Sequence, residues 1–239
     1  MMVTAQSVKN KLEGLISKAN GVTGKNDGTV SAAVDALISG FGQGGADTLT
    51  ARLDGSISGY TNSNLTTIPD YGFYGCTSLA QVSCPNLTAI GRYAFSGCTA
   101  LTEFDFSNVN LPAGYGSVNA FENTGLTHVV LPKMATIPYN FFERCGNLNV
   151  VDCHAVTMLQ MQAFRYCTSL TTLILRKTDG VAYTASNTFD NCGFGSDGKV
   201  CAVYVPQSLL EQYKVATNWS ALLELGQIAF FAIEGSEYQ

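Results

Sequence analysis

The sequence predicts an α/β repeat: a solenoid with a parallel sheet along its concave side, short helices ahead of it and a helix-strand cap behind. Three observations predict this. A phenylalanine recurs at Phe73, Phe95, Phe121, Phe142, Phe164 and Phe189, at steps of 22, 26, 21, 22 and 25 residues, and a period in that range is the mark of stacked structural units. A second column sits three residues later, at Cys76, Cys98, Thr124, Cys145, Cys167 and Cys192, broken once by threonine. The first five units then read Leu-x-x-apolar-x-apolar, over Leu79 to Cys84, Leu101 to Phe106, Leu126 to Leu131, Leu148 to Cys153 and Leu170 to Leu175, the alternation of a short strand with one buried face. No such unit can bury its own apolar face, so stability has to come from stacked neighbours.

Ahead of the repeats, residues 4–20 place Val8, Leu12, Leu15 and Ile16 at helical spacing, and Thr29 to Phe41 do the same with Val30, Val34, Leu37, Ile38 and Phe41. Two short amphipathic helices bury little alone. Residues 1–45 are therefore expected to form a docking or assembly module ending in the glycine-rich hinge Gly40 to Gly45, with residues 4–41 available for self-association or docking. The solenoid is assigned to 46–206. Before each phenylalanine an apolar residue is followed by Pro or Gly, as at Ile68-Pro69, Ile90-Gly91 and Ile137-Pro138, which suits a tight bend on the convex side. The sixth unit inserts Gly193 to Gly198 before its strand, Cys201 to Val205, where Val203 and Val205 take the buried slots. Residues 207–239 are expected to cap the array, with a helix from Gln207, the single tryptophan Trp219 covering the last open core, and a strand near Ile228 to Ile233.

The phrase Ile90-Gly91-Arg92-Tyr93-Ala94-Phe95-Ser96-Gly97-Cys98-Thr99-Ala100-Leu101 resembles the BspA-like (treponemal-type) leucine-rich repeat family, and the likeness covers about residues 64 to 206. The resemblance implies a curved leucine-rich repeat solenoid and a role in adhesion and ligand binding rather than catalysis. It supplies no particular ligand. Thr23 to Gly42 is similar to the N-terminal module of proteins encoded by phages and prophages of gut bacteria, which implies a virion-linked origin.

Composition narrows the function classes. The chain has 239 residues, 13 Lys+Arg against 18 Asp+Glu, and only 13% charged residues. A net charge of -5 without a basic block leaves no phosphate-neutralising footprint, so no nucleic acid is expected as partner. The start of the given chain lacks a basic n-region followed by an apolar stretch, and no run reaches the roughly 18 apolar residues of a membrane span. Neither Sec export nor membrane insertion is expected on that reading. Eight cysteines in so long a chain, spaced by the repeat, read as reduced core residues.

The outward positions of the repeat strands form two columns, Gln81, Glu103, His128, Val150, Thr172, Ala202, and Ser83, Asp105, Val130, Asp152, Ile174, Tyr204. Neighbours in a column lie about 4.8 Å apart. Gln81, Glu103, Asp105, His128, Asp152, Thr172 and Tyr204 are thus the expected ligand-binding face, with His154 just beyond its strand. Carboxylates beside imidazole could hold a cation, yet polar residues on a solvated face are the simpler reading, and no metal or cofactor is assigned. No catalytic residue is assigned either. Cys153-His154 is the one adjacent thiol-imidazole pair and alternation turns Cys153 inward. Glu103 and Asp105 leave the same strand without a cleft to flank a glycosidic bond, and Gly21 to Lys25 lacks phosphate-loop spacing. Arg176-Lys177 reads as a solubilising pair. The expected protein is a non-enzymatic binder of a host or bacterial surface protein or glycan, located on a virion or at the cell surface: a tail-associated receptor-binding or fibre component, with a bacterial adhesin or a structural virion spacer as the alternatives.

Overall fold

The computed structural model describes residues 56–111, 116–194 and 198–239. The two helices expected within residues 4–41 lie outside them. In chain order the strands are β1 (Gly59–Thr61), β2 (Thr67–Ile68), β3 (Gln81–Ser83), β4 (Ala89–Ile90), β5 (His128–Leu131), β6 (Thr136–Ile137), β7 (Val150–Cys153), β8 (Met158–Leu159), β9 (Thr172–Leu175), β10 (Tyr183–Thr184) and β11 (Cys201–Val205). A 3-10 turn (Gln207–Leu209), helices α1 (Leu210–Val215) and α2 (Trp219–Glu224) and strand β12 (Ile228–Ala232) follow. Odd-numbered strands and β12 build the concave side, as the parallel pair β1-β3 and the parallel sheet β5-β7-β9-β11-β12, while the short strands β2, β4, β6, β8 and β10 pair in parallel on a second side. This is the α/β leucine-rich repeat solenoid with a helix-strand end that the sequence predicts.

The register places His128, Val150, Thr172 and Ala202 in one row and Val130, Asp152, Ile174 and Tyr204 in the next. Gln81 and Ser83 pair with Gly59 and Thr61. One predicted strand is missing: Leu101 to Phe106 joins neither sheet. Its inward slots hold Phe104 and Phe106 where the neighbouring units carry Val82 and Cys84 or Val129 and Leu131. The two rings lie 4.7 Å apart and pack on Phe121 at 4.8 and 5.0 Å, filling the core with aromatic volume that spreads the backbone away from both flanking ladders.

The repeated phenylalanines form a stack through the core. Centroid separations are 5.3 Å for Phe73-Phe95, 5.0 Å for Phe95-Phe121, 6.0 Å for Phe121-Phe142, 5.7 Å for Phe142-Phe164 and 5.6 Å for Phe164-Phe189. Their amides tie each unit to the next, as in Phe73 N to Ala94 O and Phe142 N to Ala163 O. The backbone around them is also repeated. Positions two before and two after the phenylalanine adopt positive φ in unit after unit, Tyr71 and Gly75, Tyr93 and Gly97, Asn119 and Asn123, Asn140 and Arg144, Gln162 and Tyr166, so the convex bend is made of left-handed residues rather than by Pro and Gly alone.

The cysteine column has a bonding role. Thiols of Cys98, Cys145, Cys167 and Cys192 donate to the carbonyls of Phe73, Phe121, Phe142 and Phe164 in the preceding unit, at 2.9 to 3.0 Å. Thr124 departs from this. Its hydroxyl donates to Phe121 O of its own unit at 3.0 Å. The same unit is one residue shorter between its phenylalanine and leucine, Phe121 to Leu126 against Phe73 to Leu79. The shortcut presses Gly125 on the preceding unit, where a Cβ would stand 2.4 Å from Thr99 O, so no larger residue fits.

None of the eight cysteines is in a disulfide, and seven are buried. At the far end Tyr213 and Trp219 are fully buried. Trp219 Nε1 donates to Ala182 O at 2.7 Å, the Ala182 amide donates to the Tyr213 hydroxyl at 2.9 Å, and Asn218 Nδ2 donates to Thr184 O at 2.7 Å. The cap thereby satisfies backbone groups beside β10 that a further repeat would otherwise have to meet.

Candidate functional site

The predicted face divides into an open and a closed half. In the open half a shallow concavity of about 700 Å³ is lined by Thr61, Gln81, Ser83, Thr102, Glu103 and Asp105, among others. Gln81, Glu103 and Asp105, all exposed, are thus brought together although Glu103 and Asp105 leave from an unpaired segment. His128 is exposed at the start of the next strand, where the Thr127 amide donates to Thr102 O at 3.3 Å. The segment keeps its shape by a local turn: the Ser107 amide donates to Asp105 Oδ1 at 2.9 Å. Hydrogen bonding from the Ser107 side chain and amide holds the Asp105 carboxyl below its ordinary range, so it stays ionised.

In the closed half Asp152, Thr172 and Tyr204 are not open. Asp152 and Thr172 are each 8% exposed, and Ile174, an outward position by alternation, is 1% exposed. Arg176 clamps Asp152 through two bonds, Nε to Oδ1 at 2.7 Å and Nη2 to Oδ2 at 2.8 Å. Hydrogen bonding to Asp152 raises the Arg176 pKa further. Arg176 is therefore a half-buried tie and not a solubilising residue, while Lys177 pairs with Asp179 on the surface. His154 Nε2 lies 3.6 Å from Asp152 Oδ1.

Covering this half is the segment that follows β12. Tyr238 packs edge-on against Tyr204 at 4.7 Å, with Phe231 on the other side of Tyr204 at 5.4 Å. Arg176 Nη1 donates to Tyr238 O at 2.7 Å, and Thr172 faces the Tyr238 phenol, whose pKa burial raises and Thr172 pulls down. Sequence reasoning missed this cover. The only signal for it is a tyrosine beyond the last strand.

Among the described residues no group of three or more His, Cys, Asp or Glu is arranged to hold a metal ion, and no helix is long and apolar enough to cross a membrane. Thiol chemistry is opposed by burial, which pushes Cys145 up to about 11 and Cys192 and Cys201 up to about 12.

Comparison with known proteins bears on the repeats. The BspA type leucine rich repeat region matches in six copies over residues 58–117 and 107–196. None of the curated proteins matches the chain. Solved structures with similarity include the pneumococcal vaccine antigen PcpA, at 14% identity and a TM-score of 0.48, covering 73% of this chain and 40% of that one. A Treponema pallidum leucine-rich repeat protein has 18% identity and a TM-score of 0.43, covering 74% of this chain and 73% of that one. A leucine-rich repeat protein from Bacteroides ovatus has 20% identity and a TM-score of 0.38, covering 74% and 55%. The chain thus spans less than half of the pneumococcal antigen.

Proposed function

Because the chain belongs to the BspA-type leucine-rich repeat family, we propose that it is a non-enzymatic binding protein whose open concave half grips a large ligand, a surface protein or glycan. The observation that carries this is the shallow 700 Å³ concavity lined by the exposed Gln81, Glu103 and Asp105, with His128 exposed at the start of the next strand. Such a surface suits broad contact with a macromolecule rather than enclosure of a small molecule. The row runs from β3 to β5 across an unpaired segment whose turn is held by the bond from Ser107 N to Asp105 Oδ1.

The location proposed is a phage or prophage particle, in a tail-associated receptor-binding or fibre role. Its support is the likeness of Thr23 to Gly42 to virion modules. The repeats would face outward and residues 4–41 would attach to the particle. A cell-surface adhesin uses the same face with a different anchor.

The test is saturable binding of the full chain to immobilised mucin and to intact bacterial cells. Replacing Glu103, Asp105 and His128 together by alanine is expected to lower binding at least about tenfold, as truncation of central contacts does. Unchanged binding refutes the site, and no binding by either chain favours a spacer. Molar mass by light scattering then separates the locations. A defined oligomer that becomes monomeric when the chain begins at Ala46 supports a virion handle, and monomers in both cases support the adhesin.

A further inference from the structure

The segment over the closed half leaves β12 by two fixed bonds, Ile233 N to Val205 O at 2.9 Å and Gln207 N to Glu234 Oε2 at 2.8 Å. It reverses at Gly235, whose φ of 84° is open to glycine at little cost. Ser236 then folds the turn, its hydroxyl donating to Ile233 O at 2.6 Å and accepting from Tyr238 N at 3.2 Å. What returns to the sheet is a single residue, Tyr238. It is held at two points, its ring by Tyr204 and its carbonyl by Arg176, with Thr172 facing its phenol as a third.

Those three points belong to the solenoid and are built independently of the segment. Thr172 and Tyr204 stand in adjacent paired strands. Arg176 is fixed in place by its two bonds to the buried Asp152. A ring wall, a hydroxyl partner and a guanidinium aimed at a main-chain carbonyl together describe recognition of one tyrosine in a polypeptide. The contact is made without a β-ladder between segment and sheet, so it can open without unpairing any strand.

We propose that the closed half of the concave face is a peptide-binding slot for a tyrosine presented on a turn, and that residues 235–239 occupy it as an internal ligand. The partner class is a polypeptide segment of the same chemistry, with a tyrosine whose phenol and carbonyl are both free. The inference rests on the binding role proposed for this face. Tethering gives the internal segment an effective concentration of about the millimolar order, so an external segment enters only by outcompeting it or after it is displaced. The face thereby has two stations, the open acidic row for first contact and the slot for a second, exchangeable one.

The experiment uses the full chain with Tyr238→Ala and the synthetic peptide Gly-Ser-Glu-Tyr-Gln, followed by amide shifts of Thr172, Ile174, Arg176 and Ala202. Saturable shifts are expected in the variant. Wild-type chain should need at least about tenfold more peptide, because its own tyrosine competes. The peptide with alanine for tyrosine should move neither. Tyr238→Phe keeps the ring on Tyr204 and loses the phenol that faces Thr172, so it should admit the peptide at about 2- to 10-fold lower concentration than wild type. The slot is overturned if the tyrosine peptide moves none of these amides in either variant, or if the alanine peptide moves them equally. Shifts confined to Glu103, Asp105 and His128 would overturn the slot while leaving the open row standing, and the triple alanine chain tests that row separately.

Discussion

Trp219 offers the most direct measurement of how the array is closed. It is fully buried, packs on Phe189, Tyr213 and Phe230 at 6.2, 5.8 and 5.8 Å, and donates to Ala182 O at 2.7 Å. Trp219→Ala removes the largest side chain of the cap and should cost about 3–5 kcal/mol. At about 2–4 °C per kcal/mol for a chain of this size, the melting temperature should drop by roughly 6–20 °C. Trp219→Phe keeps most of the ring volume and deletes the donor, which should cost about 1–3 kcal/mol for leaving a buried carbonyl short of a partner. The assay is urea unfolding followed by circular dichroism, with tryptophan fluorescence on the wild type. Since the chain has one tryptophan, the emission reports this site alone. A solvent-exposed emission in native buffer, or a loss under about 1 kcal/mol for the alanine variant, would refute the cap as described.

Two further outcomes are expected. Alkylation of the folded chain at pH 8 should reach Cys84 alone, the one cysteine that is partly exposed, and all eight should react after unfolding without reductant; rapid labelling of Cys145 in the folded chain would contradict the buried thiol column. Glu143 is 5% exposed, and burial followed by the charge of Glu122 raises its pKa against the opposing pull of Arg165 and Arg144. A carboxyl whose folded pKa is raised stabilises the fold when protonated, and that contribution falls away as pH climbs from the unfolded value of about 4.3 through the folded one. Glu143→Gln should therefore raise the melting temperature at pH 7 and leave it unchanged near pH 4, and a loss at pH 7 would show that the pairing with Arg165 outweighs burial.

The repeat made most of this fold legible before any coordinates. Spacing of the phenylalanines gave the stack, and alternation gave the register that places His128 beside Val150 and Val130 beside Asp152. Two things were not legible. Alternation reports which side of a strand a residue takes but not whether two aromatic rings fit between its neighbours, so Leu101 to Phe106 was expected to pair and does not. Alternation also cannot see what lies across the face, so it groups Asp152, Thr172 and Tyr204 with Glu103, whereas Arg176 closes Asp152 and Tyr238 packs on Tyr204. The thiol column was visible as a pattern, but its partner, the carbonyl one unit back, is a three-dimensional fact.

The interruptions of the array gather at the step from unit two to unit three. The concave ladder stops after β3 in unit one and resumes at β5 in unit three, and Thr124 in unit three turns its hydrogen bond back on its own unit. Across that step the described contacts are the convex amides, as at Phe95 N to Ala120 O, the rings of Phe95, Phe104 and Phe106 packed on Phe121, and on the concave side the bond from Thr127 N to Thr102 O. In a chain whose stability is a sum of nearest-neighbour terms, a weak term in the middle acts as a seam. On that reasoning the chain is expected to unfold as two blocks joined in series, an early one that carries part of the open row and a later one closed by the cap. Heat or force would part them there first, so the exposed ligand row straddles the joint where the molecule yields.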